Sequence, residues 1–259
     1  MLTSFGEQFC AHTAKALNEI DQAMSLSGSS NVKPSYIQIG TVASVQQAFL
    51  PSLLVDYEHA DGRDTFFDIL EVSATFDCMR LVQKREIDLA FCGWSPEMPK
   101  GLASIPVLSQ NLVAAVNPKH PLADRKVVSL KELAGYPLIS YRDSSSMYYT
   151  VKALTDSYGL TFRQAFHDEL KAASHTEVNP RCVALLLDTV EGSLRTKMKF
   201  ITIEEYKETF HLVGLLYRIS GLNDEGIASF IGFINERYRH LRGIVPTEFK
   251  LPVEGLELR

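Results

Sequence analysis

Tyr141, Arg142 and Ser144–Ser146 are the densest run of hydrogen-bonding side chains in this chain. They follow a short apolar segment, Leu138–Tyr141, and precede a helical pattern. A guanidinium offers a planar, bidentate fork to a carboxylate, and hydroxyls beside it supply further donors. A solvated loop with one helix cap is the plainer reading of the same residues. A second group stands behind the strand Tyr36–Ile39. Gly40 and Thr41 turn the chain there, and Ser44 is placed to cap a helix with Val45, Ala48, Phe49, Leu53 and Val55 on one face. Thr41 and Ser44 at a helix N-terminus are suited to an anion. Ser73 and Thr75, Gly93 and Trp94, and Thr176 and Glu177 occupy comparable strand-to-helix positions. Capping at Ser73 and Thr75, and packing at Trp94, compete with a binding role. The chemistry these types support is recognition of a small anion.

Catalysis finds no footing in the spacing. His120 has no Ser, Cys or carboxylate spaced with it as a partner and reads as structural. There is no nucleophile elbow, P-loop, GxGxxG or HExxH. Cys10, Cys78, Cys92 and Cys182 form no CxxC pair, so neither a zinc site nor a disulfide framework is expected. No cofactor and no metal is anticipated.

The elements that must position these groups alternate. Strands are expected at Phe66–Val72, Ile87–Cys92, Leu112–Val116, Leu138–Tyr141, Phe162–Asp168, Phe200–Ile203 and Leu212–Tyr217. Thr75 is placed to open a helix to about Arg85. Ser129 and Glu132 spell a capping box, and a further helix spans Met147–Tyr158. Asn179-Pro180 predicts a helix to about Val190. Asn223 is placed to cap a long helix with Ile227, Phe230, Ile231 and Ile234 inward. Strand–helix alternation of this kind is a doubly wound α/β pattern.

Composition bounds the function class. Hydrophobic content of 46% and charge of 22% are ordinary for a globular protein. A net charge of −5 argues against a whole-chain nucleic-acid binder. No apolar run is long enough to span a membrane and no signal-peptide layout opens the chain, so a cytoplasmic protein is expected. Residues 2–24 read as a helix with Phe5, Phe9, Leu17, Ile20 and Met24 near one face, followed by a Ser/Gly linker, Ser25–Ser30. An amphipathic helix on a flexible tether suits self-association.

Several segments together resemble LysR-type transcriptional regulators. They are Leu2-Thr3 with Gly6, the glycine-threonine turn with Phe49-Leu50-Pro51, and Glu86–Ala90. Asn117-Pro118 through His120-Pro121-Leu122-Ala123 comes next, then Ser129, Leu130 and Leu133, Tyr136–Ile139, and Phe230, Ile231 and Phe233. The resemblance implies two Rossmann-like subdomains joined by two crossover strands. That is the type II periplasmic-binding-protein-like plan, here preceded by an amphipathic linker helix. It divides the chain into residues 1–30 as linker helix and tether, 31–109 with 218–259 as the first subdomain, and 110–217 as the second, with crossings near Ser109 and Arg218. It implies a small-molecule effector in the cleft and a homo-oligomer. DNA contact would come only through a winged helix-turn-helix that this chain lacks. The segment Glu191–Arg195 departs from the family's usual Gly-x-Gly turn. A stand-alone solute-binding protein of the same fold is the alternative; an enzyme would need a polar triad in the cleft.

Overall fold

The computed structural model describes residues 35–247 except 47–48, 62–64, 96, 144, 146, 167–168 and 190–191, and positions 3, 5–6, 9, 12–13, 16 and 19–20. At 43–44, 61, 164, 170 and 192–194 only the backbone is described.

Five strands build a first sheet: β1 (Ser35–Thr41), β2 (Thr65–Glu71), β3 (Leu89–Gly93), β4 (Leu102–Gln110) and β11 (His211–Arg218), in the order β2-β1-β3-β11-β4. β1 runs parallel to β2 and β3, while β11 lies antiparallel between β3 and β4. The second sheet has the order β6-β10-β5-β9-β7-β8. Its strands are β5 (Leu112–Val116), β6 (Val127–Val128), β7 (Leu138–Tyr141), β8 (Phe162–Phe166), β9 (Val183–Leu187) and β10 (Lys199–Ile203). The runs LAFCG, LVAAV and VALLL are apolar without alternation because both faces of these central strands are covered.

The helices described are α1 (Ala43–Gln46), α2 (Phe49–Asp61), α3 (Thr75–Gln83), α4 (Leu130–Leu133), α5 (Tyr148–Ser157), α6 (Glu169–Val178), α7 (Gly192–Lys197) and α8 (Glu225–Arg237). α8 returns to the first sheet, where Phe230, Ile231 and Ile234 join Ile37, Ile39, Leu50, Leu53 and Tyr57 in one core. The opposite face is closed by α3 through Cys78 and Val82. The second sheet carries a separate core, including Leu130, Leu133, Val151, Leu154, Ala173 and Phe210.

Several expectations are met. Ser129 and Glu132 form the capping box at α4, with Ser129 N–H donating to Glu132 at 2.8 Å. His120 is buried at 3% exposure, its Nδ1 accepting the Leu122 N–H at 3.1 Å and its ring against Tyr136. Burial lowers its pKa; the Arg181 carbonyl opposes this without a well-formed bond to Nε2. Asp88, just ahead of β3, accepts the Gln38 N–H at 3.0 Å, while Arg218 donates to the Ile87 carbonyl at 2.9 Å and stands 3.6 Å from Asp88. That arrangement ties the middle of β1 and the start of β3 to the end of β11.

Other expectations are corrected. The Asn179-Pro180 pair closes a helix rather than opening one: the Asn179 N–H bonds the His175 carbonyl, and the predicted helix over 180–190 is replaced by β9. The strand predicted to Asp168 stops at Phe166, and α6 comes after it. Asp224, not Asn223, caps α8, accepting the Ile227 N–H at 3.0 Å. The helix expected from Ser44 already includes Ala43. Val55, placed on its apolar face, is exposed. The return crossing expected near Arg218 falls before His211, because all of β11 lies in the first sheet. Residues 211–217 therefore pair with the first sheet rather than the second.

At the N-terminus, positions 5, 6, 9, 12, 13, 16, 19 and 20 are helical. Phe5, Phe9 and Ile20 are exposed, and the two phenylalanine rings stack at 6.1 Å. Leu17, Met24 and the Ser25–Ser30 linker lie outside the described residues.

Candidate functional site

One residue, Asn111, separates β4 from β5, so the two sheets meet there. β4 runs in the same sense as β3, β1 and β2, so Gln110, Gly93, Thr41 and Glu71 stand at one edge of the first sheet. Leu112 pairs with Leu187, and β7 and β8 run parallel to β9. Tyr141, Phe166 and Leu187 therefore stand at the facing edge of the second sheet. The carboxyl ends of the parallel strands of both sheets converge on the crossing, which is where open α/β sheets bind ligands.

Most of the predicted site residues are placed at this junction, but several are already engaged. Thr41 is fully buried and its hydroxyl donates to the Val42 carbonyl at 3.2 Å. Ser44 sits in α1, and its side chain lies outside the described residues. Ser73 is exposed after β2. Thr75 does not cap α3; the N-cap is Ala74, and the Thr75 hydroxyl accepts the Gly93 N–H at 3.0 Å, joining α3 to β3. Gly93 has no room for a side chain, since a Cβ would lie 2.9 Å from Thr75 Oγ1 and 3.3 Å from His211 Cε1. Trp94 turns back onto β11: its N–H donates to the Leu212 carbonyl at 2.8 Å, and a Cβ on Gly214 would stand 3.0 Å from its Cδ1. Packing accounts for that contact.

On the facing sheet, Tyr141 is 3% exposed and works as a brace. Its hydroxyl donates to Glu169 Oε1 at 2.8 Å and accepts the Leu187 N–H at 2.8 Å. Arg142 comes next, fixed by a 2.8 Å bond from its N–H to the Phe166 carbonyl. Its side chain is exposed, and its guanidinium has no partner among the described residues. Ser145 is half-buried, its N–H donating to the Arg142 carbonyl at 2.9 Å in a tight turn. Ser144 and Ser146 lie outside the described residues. Thr176 and Glu177, expected ahead of a helix, occupy the last turns of α6 instead. Thr176 is fully buried, donating to Ala173, and Glu177 is exposed and paired with Lys197 at 3.1 Å. Neither is brought to the junction.

Gln110 was missed by sequence reasoning. It is 2% exposed, and its amide Nε2 has no acceptor among the described residues. An unpaired buried donor costs about 1–3 kcal/mol. No signal at the level of residue type or spacing marks it. Elsewhere, an open groove of about 370 Å³ on the outer edge of the second sheet is lined by Tyr148, Lys152, Phe162 and Arg163, where Lys152 is already paired with Asp156. Cys92 is buried, its thiol pushed well above the usual range by contact with Cys78 and by burial, which suits an inert thiol. Among the described residues no three His, Cys, Asp or Glu side chains group as metal ligands, and no helix is long and apolar enough to cross a membrane.

A family profile described as the LysR substrate binding domain matches residues 34–238. The chain belongs to this family. Its fold is the α/β, two-sheet, type II periplasmic-binding-protein-like fold of LysR effector domains. The transcriptional regulator CfxR of Cupriavidus necator is 31% identical over 143 residues, covering 51% of this chain and 41% of that protein. The chain thus spans less than half the length of this LysR relative. The effector-binding domain of QuiR in complex with shikimate superposes with a TM-score of 0.68 at 18% identity, covering 80% of this chain and 99% of that one. The BenM effector-binding domain with its effector benzoate gives 0.63 at 16% identity, covering 82% and 96%. These LysR likenesses establish the shared fold.

Proposed function

We propose that this chain is the effector-sensing and oligomerisation region of a LysR-type transcriptional regulator, taking a small anionic metabolite between its two sheets. The observation that carries the reading is the convergence of strand ends from both sheets on the Gln110–Leu112 crossing, with the Arg142 guanidinium unpaired among the described residues at its edge. Two solved relatives of this fold hold small acids, shikimate and benzoate. Two sheets joined by short connections can close about such a ligand, and the shift in population would pass to DNA-binding domains elsewhere in the full protein.

The chain is read as a cytoplasmic binding domain rather than an enzyme. Support comes from a family of transcriptional regulators and from polar groups at the junction that mostly serve the scaffold. The exposed Phe5, Phe9 and Ile20 support self-association through the N-terminal helix. Deleting residues 1–24 should lower the mass seen by light scattering; an unchanged mass would remove that part of the reading.

The effector reading is tested by thermal shift against a broad panel of small carboxylic acids and amino acids that includes shikimate and benzoate. A ligand at one hundred times its Kd adds about 2.7 kcal/mol of stability by mass action, on the order of 5–10 °C for a domain of this size. A panel that leaves the melting temperature unmoved would overturn it.

A further inference from the structure

Resting on the effector reading, we infer that Gln110 is the floor of the binding site and the donor that selects an acid there. Gln110 is the last residue of β4 and pairs with His211, the first of β11, in antiparallel register. Residues directly opposite in such a ladder project to the same face, with Cβ atoms about 5 Å apart. His211 locates that face. Its ring lies against the bare backbone of Gly93, where a Cβ would come within 3.3 Å, at the carboxyl end of β3. The Gln110 carboxamide is thus on the same face of the sheet edge as the His211 ring that fills the space beside Gly93.

Gln110 is only 2% exposed, and its amide nitrogen has no acceptor among the described residues. Buried polar groups in folded proteins are nearly always satisfied, so an orphan donor calls for a partner that the described residues do not provide. Its backbone shows no such want: the Gln110 carbonyl accepts the Phe210 N–H at 2.9 Å. Across the junction, Arg142 adds a guanidinium without a partner among the described residues. Two donors favour a ligand rich in acceptor oxygens, a small carboxylate above all. Because Gln110 belongs to the crossing itself, a ligand bound there touches the connection about which the sheets would move.

Gln110→Met keeps the length of the side chain and removes the amide. With the full chain, two readouts are expected. Without ligand, the melting temperature rises by about 2 °C or more, since an unpaired buried donor has gone. With whichever acid of the panel shifts the wild type, affinity falls tenfold or more. A lower ligand-free melting temperature would show an amide already satisfied and overturn the proposal. Undiminished affinity in Gln110→Met would overturn it while leaving the effector reading intact. Silence of the wild type toward every acid would sink both. If Gln110→Met does not fold, the side-chain amide resonances of Gln110 in the wild type report instead. They should move on addition of the binding acid, and stationary resonances overturn the proposal.

Discussion

Phe230→Ala is expected to lower the free energy of unfolding by about 3–5 kcal/mol, among the largest losses available to a single substitution here. Phe230 is fully buried on α8 and is the hub of an aromatic cluster. Its ring meets Tyr57 edge-on at 4.9 Å and lies 5.3 Å from Phe67 and 6.5 Å from Phe91. These partners come from α2, β2 and β3, all far earlier in the chain. Truncation removes the transfer free energy of a phenyl ring and leaves a cavity walled by rigid rings that collapse poorly. Edge-to-face geometry adds about 0.5–1.5 kcal/mol per aromatic pair beyond burial. At about 2–4 °C per kcal/mol for a domain of this size, melting should fall by on the order of 10 °C. Denaturant titration would show a lower midpoint with little change in slope. A loss under about 1 kcal/mol would mean that α8 is not anchored through this ring. Phe233, half-buried on the same helix with its ring 5.4 Å from Tyr57, should cost less.

How much of this fold is legible in the sequence depends on where each signal resides. Strands β5 and β7 and helix α4 were legible because their apolar runs and caps are local: Leu112–Val116, Leu138–Tyr141 and the Ser129–Glu132 box. Asn179-Pro180 misled because the same pair suits the end of one helix as well as the start of another. The next apolar segment, Val183–Leu187, is uniform and carries no period to arbitrate. The strand β4 escaped notice since Pro106 interrupts it, yet β4 lies at the edge of its sheet, where proline is tolerated. At the site, position was legible and availability was not. Thr75 reads as a cap, but its hydroxyl belongs to Gly93, 18 residues on; Thr176 reads as a loop donor, but it contacts Met198. Gln110 is the converse case, because its distinguishing property is the lack of a partner among the described residues, which exists only in three dimensions.

Tyr141→Phe separates the two roles that its position allows. A cleft residue touching the effector would lose affinity on this change while the fold kept its stability. The structure supports the opposite expectation. The hydroxyl joins β7 to β9 through the Leu187 N–H and to α6 through Glu169, and all three residues are buried. Removing it leaves the Leu187 N–H without its acceptor at a cost of about 1–3 kcal/mol, and takes a charge-assisted bond from a buried carboxylate that is worth about 1.5–3 kcal/mol. These penalties share one hydroxyl and do not simply add, so a loss of about 2–4 kcal/mol is expected. Glu169→Gln, which keeps an acceptor but removes the charge, should cost less. Arg142 is the next residue, held by its own bond to Phe166, so in the folded variant its place does not depend on the Tyr141 hydroxyl. Denaturant unfolding and acid binding measured on the same Tyr141→Phe protein distinguish the cases. A stable variant with weakened binding would return Tyr141 to the ligand contacts. A destabilised variant whose affinity changes little at low temperature fixes it as the brace behind Arg142.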